Sequence, residues 1–239
     1  MKVFVLRHAV TEEGEADVHQ HGESVLSIEG INQAKQIAAN FSNLYLDRIY
    51  TSPDQRAQQT AAIISSHLEQ PIEVITHADL HEMRKPDSFN GKSHHDPEVK
   101  AQKEVLKRNI ADARFRLPGG ENVFDVNERI DRVLDELEIC LFHRVLMITH
   151  SAVIRVMILS LYAKKENVPF EIMAGLYPII RDDLDVDNGK GFEISLDTIH
   201  NPSLPTLEPG RLHWDFSFTD LPEKHLVSWR PPSHEKEEE

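Results

Sequence analysis

Three short stretches of the chain place cationic and imidazole side chains directly after apolar runs. Arg7-His8 follows residues 3–6, the segment from Ser52 to Arg56 follows residues 48–51, and His150-Ser151 follows residues 145–149. Arginine offers a planar fork of donors that matches phosphate oxygens in pairs, and imidazole serves as nucleophile, donor or proton shuttle near neutral pH. Taken singly, an Arg-His pair at a strand end is more often a salt bridge, and a histidine at a helix start more often a satisfied structural side chain. Two arginines and two histidines brought together make an oxyanion pocket.

The elements that must position these groups are legible from periodicity. Residues 3–6, 48–51, 72–75 and 145–149 read as strands, the continuous apolar ones among them covered on both faces. Ile28, Ile31, Ala34, Ile37, Ala38 and Phe41 recur at helical spacing. Ser52-Pro53-Asp54-Gln55 has the form of a capping box, with Pro53 in the first turn of a helix running to about residue 69. Asp96-Pro97 reads as the cap and first position of a lobe helix to about residue 116, which Pro118-Gly119-Gly120 closes. Val123, Val126, Ile130, Val133, Leu134 and Leu137 line one face of another helix, and residues 152–162 form one directly after the strand at 145–149.

Strands alternating with helices imply an α/β fold with right-handed crossovers: a three-layer sandwich, its mostly parallel central sheet flanked by helices. Residues 84–120, rich in His, Lys, Asp and Pro, are expected to form a helical lobe over the active site. Strands at 192–196 and 212–218 complete the pattern. The expected organisation is a single domain over residues 1–229 with the lobe inserted, followed by a flexible acidic tail at 230–239. In doubly wound sheets ligands bind at the carboxyl ends of the strands, where the three polar stretches fall.

A length of 239 residues with 40% hydrophobic and 28% charged side chains suits a globular chain with a sizeable core. The net charge of −14 argues against nucleic acid or an anionic membrane surface as partner, so an anionic substrate needs a locally positive pocket. One cysteine, Cys140, excludes an intramolecular disulfide framework and suits a reducing compartment; its place at the end of an apolar helical pattern predicts a buried thiol. No apolar run is long enough to span a bilayer, and Arg7-His8 ends the opening apolar stretch too early for a signal core, which gives a cytoplasmic protein as the expectation.

The polar stretches also match a family in order. Arg7-His8-Ala9-Val10-Thr11 resembles the Arg-His-Gly-x-Thr signature of the histidine phosphatase superfamily, in the branch that includes the cofactor-dependent phosphoglycerate mutases. The segment from Leu26 to Ala34 is similar to that family's Leu-Thr-x-x-Gly-x-x-Gln-Ala, and the segment from Ser52 to Ala61 to its Ser-Pro-x-x-Arg-Ala-x-Gln-Thr-Ala. Leu80-His81-Glu82 with a later Gly91, Gly120-Glu121 ahead of Arg129, and Thr149-His150-Ser151-Ala152-Val153-Ile154-Arg155 follow in the family's order, with a weaker echo at Asn201 to Leu204 and His225-Leu226. Three departures stand out: Ala9 for glycine, Ser151-Ala152 for a glycine pair, and Gly14 where the mutases carry a phosphate-contacting asparagine.

The resemblance implies a phosphomonoesterase acting on a small phosphorylated metabolite, with His8 as nucleophile, Arg7, Arg56, His150 and Ser151 holding the phosphoryl group, and Glu82 as proton donor and acceptor. Asp87 and Glu12 are fallback acids. Cofactor and metal are expected to be none. The alternatives are mutase-type phosphoryl return to the substrate, which loses support with Gly14, and a weakly catalytic phospho-ligand-binding module. His19, His21, His94 and His95 read as loop histidines. Lys103, Lys107, Arg108, Arg114 and Arg116 read either as a second anion contact or as a solvated face, with the lysines assigned to solvent; Thr11 reads as a pocket residue or a cap.

Overall fold

The computed structural model describes residues 1–16, 20, 22–42, 44–89, 91–184 and 186–195. In chain order the elements are β1 (Lys2–Arg7), α1 (Glu12–Glu15), α2 (Ile28–Phe41), β2 (Arg48–Thr51), α3 (Gln55–Ser66), β3 (Val74–Thr76), α4 (Pro97–Arg108), α5 (Val123–Glu138), β4 (Arg144–Thr149), α6 (Ser151–Glu166), α7 (Phe170–Ala174), α8 (Tyr177–Asp183) and β5 (Gly191–Ser195), with 3-10 turns at Ala78–Leu80 and Asp87–Phe89. The five strands form one sheet in the order β3-β2-β4-β1-β5. Its first four strands are parallel, and β5 runs antiparallel at the edge beside β1.

The side-chain alternation of the central strands builds the three layers. Val3 and Val5 of β1 and Val145 and Met147 of β4 face a core shared with α5 and α6. Phe4, Leu6, Leu146 and Ile148, one residue out of step, face the opposite core with α2 and α3. Both faces being covered, these strands carry no polar alternation, as their sequence requires. On α5 the predicted stripe from Val123 to Leu137 is buried as a unit, while α6 packs on more than one side and buries Val153, Ile154, Val156, Met157, Ile158 and Leu159 together.

Several boundaries differ from the sequence reading, each for a local reason. The Ser52–Gln55 capping box does not form: Asp54 is the N-cap of α3, the helix ends at Ser66, and Pro53 precedes the cap. Ser52 Oγ instead accepts from Asp54 N at 3.1 Å and meets His150. The third strand is Val74–Thr76, two residues late, because Ile72 packs against the α2–α3 core rather than pairing. The lobe helix has the expected Asp96 cap and Pro97 start, but stops at Arg108, with Asn109 closing the last turn through its N–H to Val105 and Leu106 carbonyls.

Pro118-Gly119-Gly120 therefore terminates no helix. It makes a left-handed turn at Gly119 (φ 75°) against Asp87, where a Cβ would strike the Asp87 carboxylate. Helix α6 extends four residues past the expected end, to Glu166, and closes on a left-handed Asn167. Cys140 is half-buried, not buried, because α5 ends at Glu138 and its thiol sits past the packed stripe, donating to Glu136 O at 3.2 Å. Among the described residues, no helix is long and apolar enough to cross a membrane. The expected strand at 212–218, Leu196, the tail 230–239, the echo at 201–204 and 225–226, and His19 and His21 lie outside the described residues.

Candidate active site

Register brings the site together. Arg7 of β1 is paired with Thr149 of β4, and Thr51 of β2 with Ile148 of β4. Residues just past three adjacent strand ends must then sit side by side: His8 N donates to Thr149 O at 3.0 Å, and Ser52 N to Ile148 O at 3.0 Å. Ser52, His150 and His8 thus line up across the sheet in the order β2, β4, β1. The rings of His8 and His150 have centroids 5.1 Å apart.

The hydrogen bonds settle the protonation of each ring. His8 Nδ1 lies 2.7 Å from the carbonyl of Ala9. A carbonyl only accepts, so Nδ1 carries the proton and Nε2 keeps a lone pair, to which Arg56 Nε donates at 3.1 Å. The loop ahead of β5 braces the same turn, with the Asn188 side-chain amide donating to His8 O at 3.0 Å and Ala9 O at 3.2 Å. For His150 the logic reverses: Arg56 Nη2 can only donate, so Nδ1 accepts at 3.1 Å and Nε2 bears the hydrogen, facing Ser52 Oγ at 2.8 Å and Asp54 Oδ2 at 3.1 Å.

Arg56, 2% exposed, is the hub of this network, its Nη2 also paired with Asp54 Oδ2 at 2.9 Å. Burial and the neighbouring guanidinium groups of Arg7 and Arg56 hold His8 well below the usual imidazole range, and burial with Arg56 does the same for His150. Both rings are consequently neutral at pH 7. Arg7 donates from Nη1 to Val186 O at 2.6 Å, while its buried Nε has no hydrogen-bond partner among the described residues. Burial pulls the Arg7 guanidinium down to about 10, so it stays charged at neutral pH.

Glu82 reaches the site on the segment after the first 3-10 turn. Its backbone N–H approaches Asp54 Oδ2 at 3.5 Å, and its carboxylate accepts from Met83 N at 2.8 Å. Buried Glu121 secures this segment, accepting from Arg84 N at 2.9 Å and pairing with Arg129 Nη2 at 3.4 Å, while Thr149 Oγ1 ties Leu80 O at 2.8 Å. The Gly120-Glu121 and Arg129 motif pieces are thereby explained as the brace of the Glu82 wall.

Other motif residues are structural too. Gly30 passes so close to Val10 O that a Cβ would lie 1.9 Å from it. Gln33 bridges Val10 N and Asn188 O, and Thr60 Oγ1 accepts from Ala9 N at 3.1 Å.

Arg7, Glu82, Ser151 and Ala152 open onto a cavity of about 360 Å³ roofed by the lobe. Ser151 is the first residue of α6, whose N-cap His150 makes no side-chain cap hydrogen bond, an arrangement that suits an anion. Gln20 and Lys85 line the cavity and were not singled out by sequence reasoning, nor were Asp54 and Asn188; Arg155, named only as the end of the motif at 149–155, lines it too. Asp54 was signalled by its place two residues before Arg56, since a buried guanidinium needs a counter-charge. Asn188 lies in a turn with no periodicity to mark it.

The fallback acids are elsewhere: Glu12 and Asp87 are exposed, and neither lines the cavity. Thr11 is a cap, accepting from Gly14 N at 3.0 Å. Arg108 and Arg114 are solvated and Arg116 pairs with Asp125; Lys103, expected in solvent, is half-buried and lines the cavity, while Lys107 lines it and is exposed as expected. His94, expected in a loop, also lines it. Among the described residues no three His, Cys, Asp or Glu side chains gather as a metal would require.

A mostly parallel sheet whose strand ends converge two arginines, two histidines and a helix N-terminus defines a phosphoryl-binding α/β protein. Residues 3–173 match the profile of the histidine phosphatase superfamily (branch 1), and the chain belongs to that family and is an enzyme of the phosphatase class. It is 26% identical over 159 residues to a candidate phosphoserine phosphatase of Hydrogenobacter thermophilus, covering 66% of this chain and 76% of that protein. To the adenosylcobalamin/alpha-ribazole phosphatase of Escherichia coli it is 25% identical over 179 residues, 72% of this chain and 83% of that one. The structure of a mycobacterial glucosyl-3-phosphoglycerate phosphatase with VO3 shares the fold, with a TM-score of 0.65 at 20% identity over 81% of this chain and 90% of its own.

Proposed function

We propose that the protein is a metal-independent phosphomonoesterase that hydrolyses a small phosphorylated metabolite through a phosphohistidine at His8, within a single α/β domain and in the cytoplasm. The observation that carries this reading is the His8 ring: Nδ1–H is committed to Ala9 O at 2.7 Å, so Nε2 is the unprotonated nitrogen, and no base is needed once the Arg56 Nε donor that it accepts from at 3.1 Å turns to a phosphoryl oxygen. In the first step the Nε2 lone pair attacks phosphorus, the P–O bond to the alcohol breaks, and Glu82, protonated, gives its proton to the departing oxygen. In the second step Glu82, now a carboxylate, takes a proton from water as the water oxygen attacks phosphorus; the P–N bond breaks and its electrons return to Nε2.

Arg7 and Arg56 supply fixed positive charge to the equatorial oxygens, and the Ser151 end of α6 adds backbone donors. His150 pairs with an oxygen once it takes a proton at Nδ1, a change that an entering dianion favours by reversing the local field. Water, not substrate, is the acceptor in this reading, since Gly14 offers no side-chain donor. The cavity volume of about 360 Å³ fits a metabolite rather than a macromolecule.

Rapid quenching into alkaline denaturant with a labelled phosphomonoester is expected to trap a base-stable, acid-labile adduct in the wild type and none in His8→Ala, whose turnover drops by more than about 10⁴-fold. EDTA is expected to leave the wild type active. Activity lost to the chelator and regained with a divalent ion overturns the metal-free reading.

A further inference from the structure

Tyr177, the first residue of α8, is 8% exposed and lines the cavity together with Glu82 and Arg155. Its ring belongs to the core that α5 and α6 build. The hydroxyl makes no hydrogen bond with any described residue, and its oxygen is not sealed within that core. A buried tyrosine O–H ordinarily finds a partner, because leaving it unpaired forfeits the hydrogen bonds that water gave it. For a side chain this enclosed, the partner must come from the cavity.

The phenol is held before anything enters. Arg155 of α6 donates to Leu184 O, the C-cap of α8, from Nε at 3.3 Å and Nη2 at 3.0 Å. The helix carrying Tyr177 is thus tied to the helix whose first residue, Ser151, opens on the same cavity. A tyrosine has few side-chain torsions to fix, so meeting a ligand costs it little entropy.

Its surroundings select what that ligand group is. Burial, opposed by Arg155 and helped by Glu82, pushes the phenol up to about 12, so it is neutral at pH 7 and can both donate and accept. Tyr177 stands in the fields of Glu82 on one side and of Arg155 and Arg181 on the other. An ammonium against the hydroxyl is repelled by the guanidinium groups, and an anion by the carboxylate form through which Glu82 must pass. A neutral hydroxyl meets neither penalty. Glu82 also serves the leaving oxygen in the mechanism above, which puts Tyr177 on the alcohol side of the ester.

We propose that Tyr177 is a specificity-determining residue whose hydroxyl hydrogen-bonds a neutral hydroxyl on the leaving alcohol, so that the substrate class is the monophosphates of diols and polyols. This rests on the phosphomonoesterase reading above. A site with a donor built for a substrate hydroxyl discriminates against the analogue lacking it, since the phenol is then left unpaired.

The test compares n-propyl phosphate, 2-hydroxypropyl phosphate and 3-hydroxypropyl phosphate on the wild type and on Tyr177→Phe. In the wild type, kcat/KM for at least one hydroxylated ester is expected to be about tenfold above that of n-propyl phosphate, and in Tyr177→Phe this ratio is expected to be about tenfold lower. Comparing ratios between the two enzymes cancels the intrinsic reactivity of each ester. Removing an unpaired hydroxyl is expected to leave the denaturant midpoint at or above that of the wild type. A clearly lower midpoint, or a variant that does not fold, makes the hydroxyl a structural group and overturns the inference. Equal kcat/KM for the three esters in the wild type, or a ratio that Tyr177→Phe leaves alone, overturns it as well, while hydrolysis of n-propyl phosphate keeps the phosphatase reading. No turnover of any of the three, with inorganic phosphate failing to bind, overturns both.

Discussion

Arg56 of the strand-end cup and Lys107 of the lobe are held in opposite ways. Arg56 is 2% exposed and is engaged by His8, His150 and Asp54 at 2.9 to 3.1 Å. Lys107 is exposed on α4 and acts through space on Asp182. The strand-end cup is thus held in place before substrate enters, with Arg56 fixed by three buried partners. The lobe wall is a set of long cationic side chains on separate helices, able to adjust to what enters. In the proposed reading the phosphoryl chemistry sits on the first, and the lobe meets the rest of the substrate.

Glu82 stands between the two regions and gives the largest expected effect. Glu82→Gln keeps shape and loses the transferable proton, so kcat is expected to fall by about 10²- to 10⁴-fold, more for an alkyl phosphate than for p-nitrophenyl phosphate. An equal loss across leaving groups removes it from the acid role and leaves the cup alone responsible.

Asp54→Asn is expected to act next. It removes one charge from the bonds to Arg56 and His150, and kcat should drop by about ten- to a hundredfold. The acid limb of the pH profile is expected to move as well, with partial recovery in Asp54→Glu. A variant with unchanged profile and rate shows that the cup holds its geometry without this carboxylate.

The smallest effect is on stability against pH. His8 and His150 both lie below the ordinary imidazole value of 6.5 in the folded protein and return to it on unfolding. Below that pH the unfolded chain binds more protons, so stability is complete above about 6.5 and is lost as pH falls from there toward the folded values. The slope is bounded by about 1.4 kcal/mol per pH unit for each ring. Denaturant midpoints measured from pH 8 to 5 are expected to fall below about 6.5 in the wild type and more shallowly in His8→Gln/His150→Gln; parallel curves mean that the cup imidazoles are not the neutral groups described.

The strands at 3–6 and 145–149 and the stripe on α5 were readable because burial on both faces of a sheet, or on one face of a helix, leaves a periodic trace. The cup was readable for a related reason, since Arg7-His8, Ser52 and His150 each fall at or just past such a strand. The lobe was less so: α4 is largely polar, and composition assigned both lysines to solvent, where Lys107 is exposed but Lys103 is half-buried against the cavity. The boundary at Ser52 failed because a serine that looks like a cap found a better partner in His150, 98 residues away. Helices α7 and α8 went unread, being short and placed where no run stood out.

The order of residues alone fixed which groups end the strands, because apolar continuity and the Arg-His, Ser-x-x-x-Arg and His-Ser spacings are properties of the chain. The packed fold decided the rest: which ring nitrogen keeps a lone pair, which carboxylate balances Arg56, and which side of α4 meets the cavity. Those depend on strand register and on distances between atoms far apart in sequence, and hydrogen bonds and Coulomb forces act through space, not along the backbone.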